Sequence, residues 1–246
     1  MSRLAVLGYH KVGPPGPDGW ETWFYVPESV FADQLVAVRE DGWTPIDVEA
    51  LVGALAGSQS LPERAALITF DDGYRSVLEF AVPALQRHEC PAVLFVPTEF
   101  VGRSNEFDQD DEPQEPICDW SQLAELARAG VSIQSHGVSH RRFSELSGAD
   151  RRDELASSKA ELESRLGAPI DLFAYPFGDD ADGDADVRAA LLETGYRAAF
   201  GYGGEPFQLP AGDPYRLERV AMGPDTDLRA LLRSTERRMN RRNRRP

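Results

Sequence analysis

Lysine is almost missing from these 246 residues: the chain has two, Lys11 and Lys159, among many Arg, Asp and Ala. That skew reads as genomic or salt adaptation and points to no activity. Cysteine is as scarce. Cys90 and Cys118 sit in no CxxC and no Cys/His cluster, so neither a redox nor a metal role follows. With no export signal, two reduced thiols are expected rather than a disulfide. No apolar run approaches the ~18–20 residues that cross a bilayer, so no transmembrane anchor is expected. The start, Met1-Ser2-Arg3 followed by Leu4–Tyr9, turns polar too soon for a secretory leader and reads as a buried strand. The expectation is a cytoplasmic protein. No internal repeat or long interior linker divides the chain, and its length suits one barrel-sized domain.

Charge is plentiful but uneven. Of 26 basic and 41 acidic residues, seven Arg and one Glu fall within 233–246, which leaves 19 basic against 40 acidic in the rest. So acidic a body repels phosphates, and nucleic acid is not an expected partner. The expected division is a globular domain over 1–232 and a basic tail over 233–246. The tail reads as a solvated end that could contact an anionic partner.

Short apolar runs alternate with amphipathic stretches. Strands are expected at Leu4–Tyr9, Ala66–Phe70, Ala92–Val96, Val131–Gln134, Leu172–Tyr175, Ala198–Phe200 and Leu217–Val220. Helices are expected at Pro27–Asp41, Asp47–Ala56, Ser76–Glu89, Ser121–Ala129, Gly148–Leu166, Asp184–Thr194 and Asp225–Asn240. Asp47 and Ser121 are candidate N-caps, and Gly42, Gly130, Gly167 and Gly195 candidate helix ends. This alternation predicts an α/β fold of about seven parallel strands, a barrel or an open sheet, with the site at the carboxyl ends of the strands. Two irregular stretches, Gly13–Tyr25 and the acidic Val101–Asp119, each follow a strand and should overhang that mouth.

Two clusters carry chemistry. In Thr69-Phe70-Asp71-Asp72-Gly73 an apolar strand runs into two carboxylates. Neighbouring strand residues face opposite ways, so a turn at Gly73 is needed for both to face the mouth. In Ser135-His136-Gly137-Val138-Ser139-His140 two of the four His stand at i and i+4 after a strand. A helical turn there would put both rings on one face, close enough to share a metal. Two His and one Asp with an open position is the pattern of a catalytic metal site. In a third segment, Ala174-Tyr175-Pro176-Phe177-Gly178, Pro176 has no N–H, so Phe177 offers the first free backbone donor.

Together these motifs resemble the polysaccharide deacetylase, or NodB-homology, family (carbohydrate esterase family four), over nearly the whole chain. The segments Tyr9-His10-Lys11-Val12, Phe95-Val96-Pro97-Thr98 and Asn105-Glu106-Phe107-Asp108 are similar to the branch of exopolysaccharide poly-N-acetylglucosamine deacetylases. The resemblance implies a distorted (β/α) barrel and a hydrolase that removes N-acetyl groups from an acetylated carbohydrate. It implies Asp71 as base and Asp72, His136 and His140 as ligands of one divalent metal, zinc first, with cobalt, nickel or manganese as further candidates. It also implies the Phe177 N–H as an oxyanion donor. Asn105, Asp108, Tyr175 and Pro176 are expected to bind substrate, and Phe107 and Trp120 add stacking surface.

Two departures from the family pattern matter. The Arg that many members place before the Pro motif, to orient the catalytic Asp, is here Phe173-Ala174. The late Leu-x-His that supplies the general acid is here Leu217-Glu218-Arg219. The acid is then expected to be His10, which ends the first strand, whereas His88 lies at a helix end. The readings left open are an O-acetyl esterase on the same machinery, an amidohydrolase of ring amides, and a catalytically dead carbohydrate-binding protein.

Overall fold

The computed structural model describes residues 2–15 and 19–233. In chain order the elements are β1 (Arg3–Tyr9), β2 (Lys11–Val12), β3 (Tyr25–Val26), α1 (Glu28–Glu40), β4 (Thr44–Pro45), α2 (Val48–Leu55), β5 (Arg64–Phe70) and α3 (Val82–Arg87). There follow β6 (Ala92–Val96), α4 (Trp120–Arg128), β7 (Val131–Ser135), α5 (Gly148–Leu166), β8 (Leu172–Ala174), α6 (Ala185–Thr194), β9 (Ala198–Phe200), β10 (Phe207–Gln208) and β11 (Val220–Ala221). The strands pair in the order β10-β1-β5-β6-β7-β8-β9, with β4 added to β5 and β11 to β1; every pairing is parallel except β10 with β1.

The segment Leu217–Ala221 closes the gap between the first and last long strands. Leu217 N donates to Ala199 O at 3.0 Å, Gly201 N donates to Leu217 O at 2.9 Å, and Val220 pairs with Leu7 of β1. The result is the distorted (β/α) barrel that the resemblance implies, one of the two forms the alternation leaves open. The regular strand here is shorter than expected, Val220–Ala221, because the segment hands over from β9 to β1 within five residues.

Period-two alternation divides the core. Leu4, Val6, Leu67, Val93, Phe95, Leu172, Ala174, Ala198, Phe200 and Leu217 form an inner cluster, which α2 joins through Leu51. Their neighbours Ala5, Leu7, Ala66, Ile68, Leu94, Phe173 and Ala199 pack outward against the helices. Emptying the barrel at Phe95, which is fully buried, would cost about 3–5 kcal/mol.

Helix boundaries follow local chemistry. Asp47 caps α2 by accepting from Ala50 N at 2.8 Å. Asp119, not Ser121, caps α4, because Gln122 reaches back to complete a capping box. The expected helix at Ser76–Glu89 is in part a wider π turn, Val77–Ala81, which leads into α3. Pro83 has no N–H and its ring clashes with the carbonyl four residues earlier, so the ladder loosens there. The last helix starts at Leu228 rather than Asp225, with Asp227 accepting from Ala230 N. The remainder of that expected helix, and the Arg-rich tail from 234 onward, lie outside the described residues.

Candidate active site

The same alternation that fills the barrel delivers its mouth. Continuing the inner-facing series along β1 gives His10, along β5 gives Thr69 and Asp71, along β7 gives Gln134 and His136, and along the closing segment gives Arg219. His10, Asp71 and His136 line a pocket of ≈ 320 Å³, and Arg219, at 0% exposure, packs against Asp71 beneath it. Asp72 would face away on this rule. It reaches the pocket because its own backbone is left-handed, at φ 69°, so the turn starts one residue before Gly73. A short polar Asp tolerates that conformation better than a branched residue would.

His136 and His140 converge without the expected helical turn. The residues between them form a bend, and His140 takes φ 54°. Glu154 of α5 holds that bend. Its Oε2 accepts from Val138 N at 2.6 Å and Ser139 N at 3.1 Å, and its Oε1 accepts from Ser139 Oγ. Gly137 is needed there, since a Cβ would lie 2.8 Å from that Oε2. The sequence reading missed Glu154; its signal was a carboxylate on the buried face of an amphipathic helix.

Asp72, His136 and His140 are all buried, and one ligand atom from each lies within 4.8 Å of the others. Asp72 Oδ1 is 3.4 Å from His136 Nε2 and 3.1 Å from His140 Nε2. His136 Nδ1 faces Ala174 O at 2.7 Å, and a carbonyl only accepts, so Nδ1 carries the proton and Nε2 presents its lone pair. A bare imidazole nitrogen then faces a carboxylate oxygen that has no hydrogen-bond partner. Two buried acceptors at this separation call for a cation between them, and two imidazoles plus a carboxylate are the donor set of a catalytic zinc. The residues present fit a divalent metal.

Asp71 has a different partner. Arg219 donates Nη1 to Oδ1 at 2.6 Å and Nη2 to Oδ2 at 2.7 Å, while its Nε donates to Gly201 O at 2.8 Å. Burial pushes Asp71 up, but Arg219 and then His136 bring it below the ordinary carboxylate range. The place left vacant before Pro176 is therefore filled from the closing segment, at the position where the sequence shows Arg for the family's His. His10 Nε2 stands 4.0 Å from Asp71 Oδ2 and 4.0 Å from Asp72 Oδ2. Its ring packs on Phe24 at 4.4 Å and against the edge of Tyr202 at 5.2 Å. Burial lowers the imidazole despite the two carboxylates.

The expected substrate residues divide. Asp108 lines the pocket, pushed up to about 7 by burial and then by the Asp72 and Glu112 carboxylates. Phe177 lines it too, with φ 58° and its ring 4.7 Å from that of His140. Asn105 does not reach it: the side chain is fully buried, donating to Pro113 O and accepting from Glu115 N to brace its own loop. Tyr175 is buried with its hydroxyl on Tyr215 O, and Pro176 is buried beside it, so neither side chain faces the pocket. Phe107 stacks on His140 at 4.0 Å and backs that ring. Trp120 begins α4 under the Arg165 guanidinium, outside the pocket. Both irregular stretches do reach the mouth, through Phe24 and through Asp108, Asp111 and Glu112. Buried Lys11 pairs with Glu112 at 2.6 Å and joins the acidic loop to β2. Cys90 and Cys118 are both free.

A family model described as polysaccharide deacetylase matches residues 58–199. The putative polysaccharide deacetylase YxkH of Bacillus subtilis is 24% identical over 224 residues, 91% of this chain and 72% of that protein. The poly-beta-1,6-N-acetyl-D-glucosamine N-deacetylase of Escherichia coli K12 is 30% identical over 138 residues, 54% of this chain but only 20% of that protein. Among solved structures, IcaB from Ammonifex degensii superposes with a TM-score of 0.78 at 26% identity, covering 94% of this chain and 97% of its own. The Streptococcus pyogenes deacetylase PplD, solved with acetate, gives 0.78 at 21% identity over the same shares.

Proposed function

The chain belongs to the polysaccharide deacetylase family, and from that premise we propose that it hydrolyses N-acetyl groups on an amino-sugar oligo- or polysaccharide with the help of one divalent metal. The observation that carries this reading is the buried meeting of Asp72, His136 and His140 beside an ionised Asp71 and His10, in one pocket. A poly-N-acetylglucosamine substrate is favoured by the E. coli relative, whose match lies in the half of the chain it covers.

Asp72, His136 and His140 would hold the metal, most suitably zinc. Bound there, the ion would acidify a water and polarise the acetyl carbonyl. The chain's own residues do the rest. Asp71, kept ionised and aimed by Arg219, takes the proton of the attacking water. The Phe177 N–H donates to the developing oxyanion. As the C–N bond breaks the amine leaves with a proton from His10, which recovers it from Asp71, 4.0 Å away. Phe24, Phe177 and Tyr202 surround the sugar with apolar faces and keep bulk water from the reacting carbonyl.

Acetate release from a panel of N-acetyl and O-acetyl sugars, with and without added zinc or cobalt, tests the proposal. Metal-stimulated release from N-acetylglucosamine oligomers is the expected result. Release from O-acetyl sugars alone would replace it with an esterase on the same site, and no release from any sugar would overturn it.

A further inference from the structure

Beyond the pocket, Trp20 and Trp23 both stand exposed among the described residues, and Trp23 is held by contacts that can be named. Trp23 is 41% exposed. Its indole N–H donates to Asp225 Oδ1 at 2.7 Å, which fixes the ring from one edge. Its other support is Gly223. A Cβ there would lie 2.2 Å from the indole Cε2, so the ring rests directly on bare backbone and only glycine allows it. An exposed tryptophan ordinarily costs a protein solubility, and nothing in the core requires this one to be anchored in place.

The position explains the arrangement. The Trp23 ring meets Phe24 edge-on at 5.8 Å, and Phe24 stacks at 4.4 Å on His10, so Trp23 stands two ring steps out from the pocket floor. Trp23 itself is outside the pocket lining, with the surface carboxylate of Asp225 at its N–H edge. A flat, immobile aromatic face with a hydrogen-bond acceptor at its edge suits a pyranose ring, whose C–H face stacks while its hydroxyls donate.

We propose that Trp23, held by Asp225 and Gly223, is a stacking platform for a neighbouring sugar unit of the same chain whose acetylated unit occupies the pocket. This rests on the reading of the pocket as a site for an amino sugar. It makes the substrate an oligosaccharide or polymer rather than a single sugar. The platform side chain enters no bond that forms or breaks, so it acts on binding alone.

The test compares wild type with Trp23→Ala, Trp23→Phe and Gly223→Ala. Acetate release is followed on β-1,6-linked N-acetylglucosamine oligomers of one to five units. In parallel, calorimetry measures binding of the fully deacetylated pentamer to the same metal-loaded proteins. Trp23→Ala should raise KM for the longer oligomers and weaken pentamer binding, each by about tenfold, with kcat and single-sugar kinetics unchanged. Trp23→Phe should recover most of the loss, and Gly223→Ala, which lifts the ring while keeping it, should reproduce it. Equal kinetics at every length would overturn the proposal. So would an equal loss on the single sugar, which is the mark of a structural role. If wild type releases no acetate at all, the catalytic reading fails and calorimetry still decides: pentamer binding that is absent, or unaltered by Trp23→Ala, overturns the platform.

Discussion

Arg219 closes on Asp71 with both arms of its guanidinium, and the two side chains keep 0% and 4% of their surface exposed. The pair joins residues 148 positions apart and bridges β5 to the segment that closes the barrel. One ion pair therefore ties the barrel closure to the carboxylate proposed as the base.

Arg219→Met is expected to lower stability by about 3–5 kcal/mol in denaturant unfolding, because Asp71 is left buried and unpaired. Arg219→Lys should lose less stability, but also the fork that aims both oxygens. The pH dependence has a definite sign. Asp71 is held below its unfolded value, so its contribution to stability is present above the ordinary carboxylate range and is lost as pH falls through the lower native value. Without the Arg219 charge the largest group opposing burial is gone, and the carboxyl rises. The acid limb of the rate profile should then move to higher pH in Arg219→Met, and less in Arg219→Lys, which keeps a positive charge. An unmoved limb would show that Arg219 does not govern the ionisation of Asp71.

Asp72→Ala, His136→Ala and His140→Ala should each purify without metal and without activity. Zinc should raise the melting temperature of wild type, by an increment equivalent to about 2.7 kcal/mol at a hundredfold excess over Kd, and leave the three variants unmoved. Asp71→Asn separates the roles: it should bind metal nearly as well while losing most turnover, since only the base is removed. Stoichiometric metal in all three ligand variants would rule out this site.

Much of this was legible in the chain because it is local. The inner-facing period along Leu4, Val6 and Gly8 runs on to His10, and that along Leu67 and Thr69 runs on to Asp71, so strand polarity alone places both at the mouth. What stayed hidden depends on distant partners or on how a loop uses its own polar groups. Arg219 shows no motif, and its role exists only because the closing segment lands beside β1, from where the side chain reaches Asp71. Asn105 carries the chemistry that sugars need, but its amide is consumed by Pro113 and Glu115. Tyr175 is likewise spent on Tyr215. The bend between His136 and His140 replaces the expected helical turn because Glu154 accepts its backbone N–H groups from another helix, and i, i+4 spacing cannot reveal that.

The acidic loop gives a prediction about stability and substrate together. Lys11 is 1% exposed and has Glu112 as its carboxylate partner, with Tyr25 and Tyr74 rings on either side. Glu112→Gln should therefore destabilise the protein by about 3–5 kcal/mol, and it should raise KM by loosening Asp108 and Asp111. Asp108→Ala leaves that pair intact, so it should raise KM at nearly unchanged stability and metal content. Deleting Asp108–Glu115 should reproduce both defects, and unchanged kinetics on every substrate would make the loop a passive wall.

His10 carries the most discriminating prediction. The leaving amine of an amide must be protonated as it departs, whereas an ester with a good leaving group departs without help. His10 is the remaining imidazole of the pocket once His136 and His140 are assigned to metal, for His88 ends α3 with its carbonyl on Arg39. Its Nε2 stands 4.0 Å from a carboxylate oxygen of both Asp71 and Asp72, within the span of one water. His10→Ala should fold, retain its metal, and lose turnover of N-acetyl substrates by a factor on the order of 10²–10⁴. Activated esters should be much less affected. Equal losses on amide and ester would instead mark His10 as a group that positions Asp71, and full activity on amides would assign the proton to another donor.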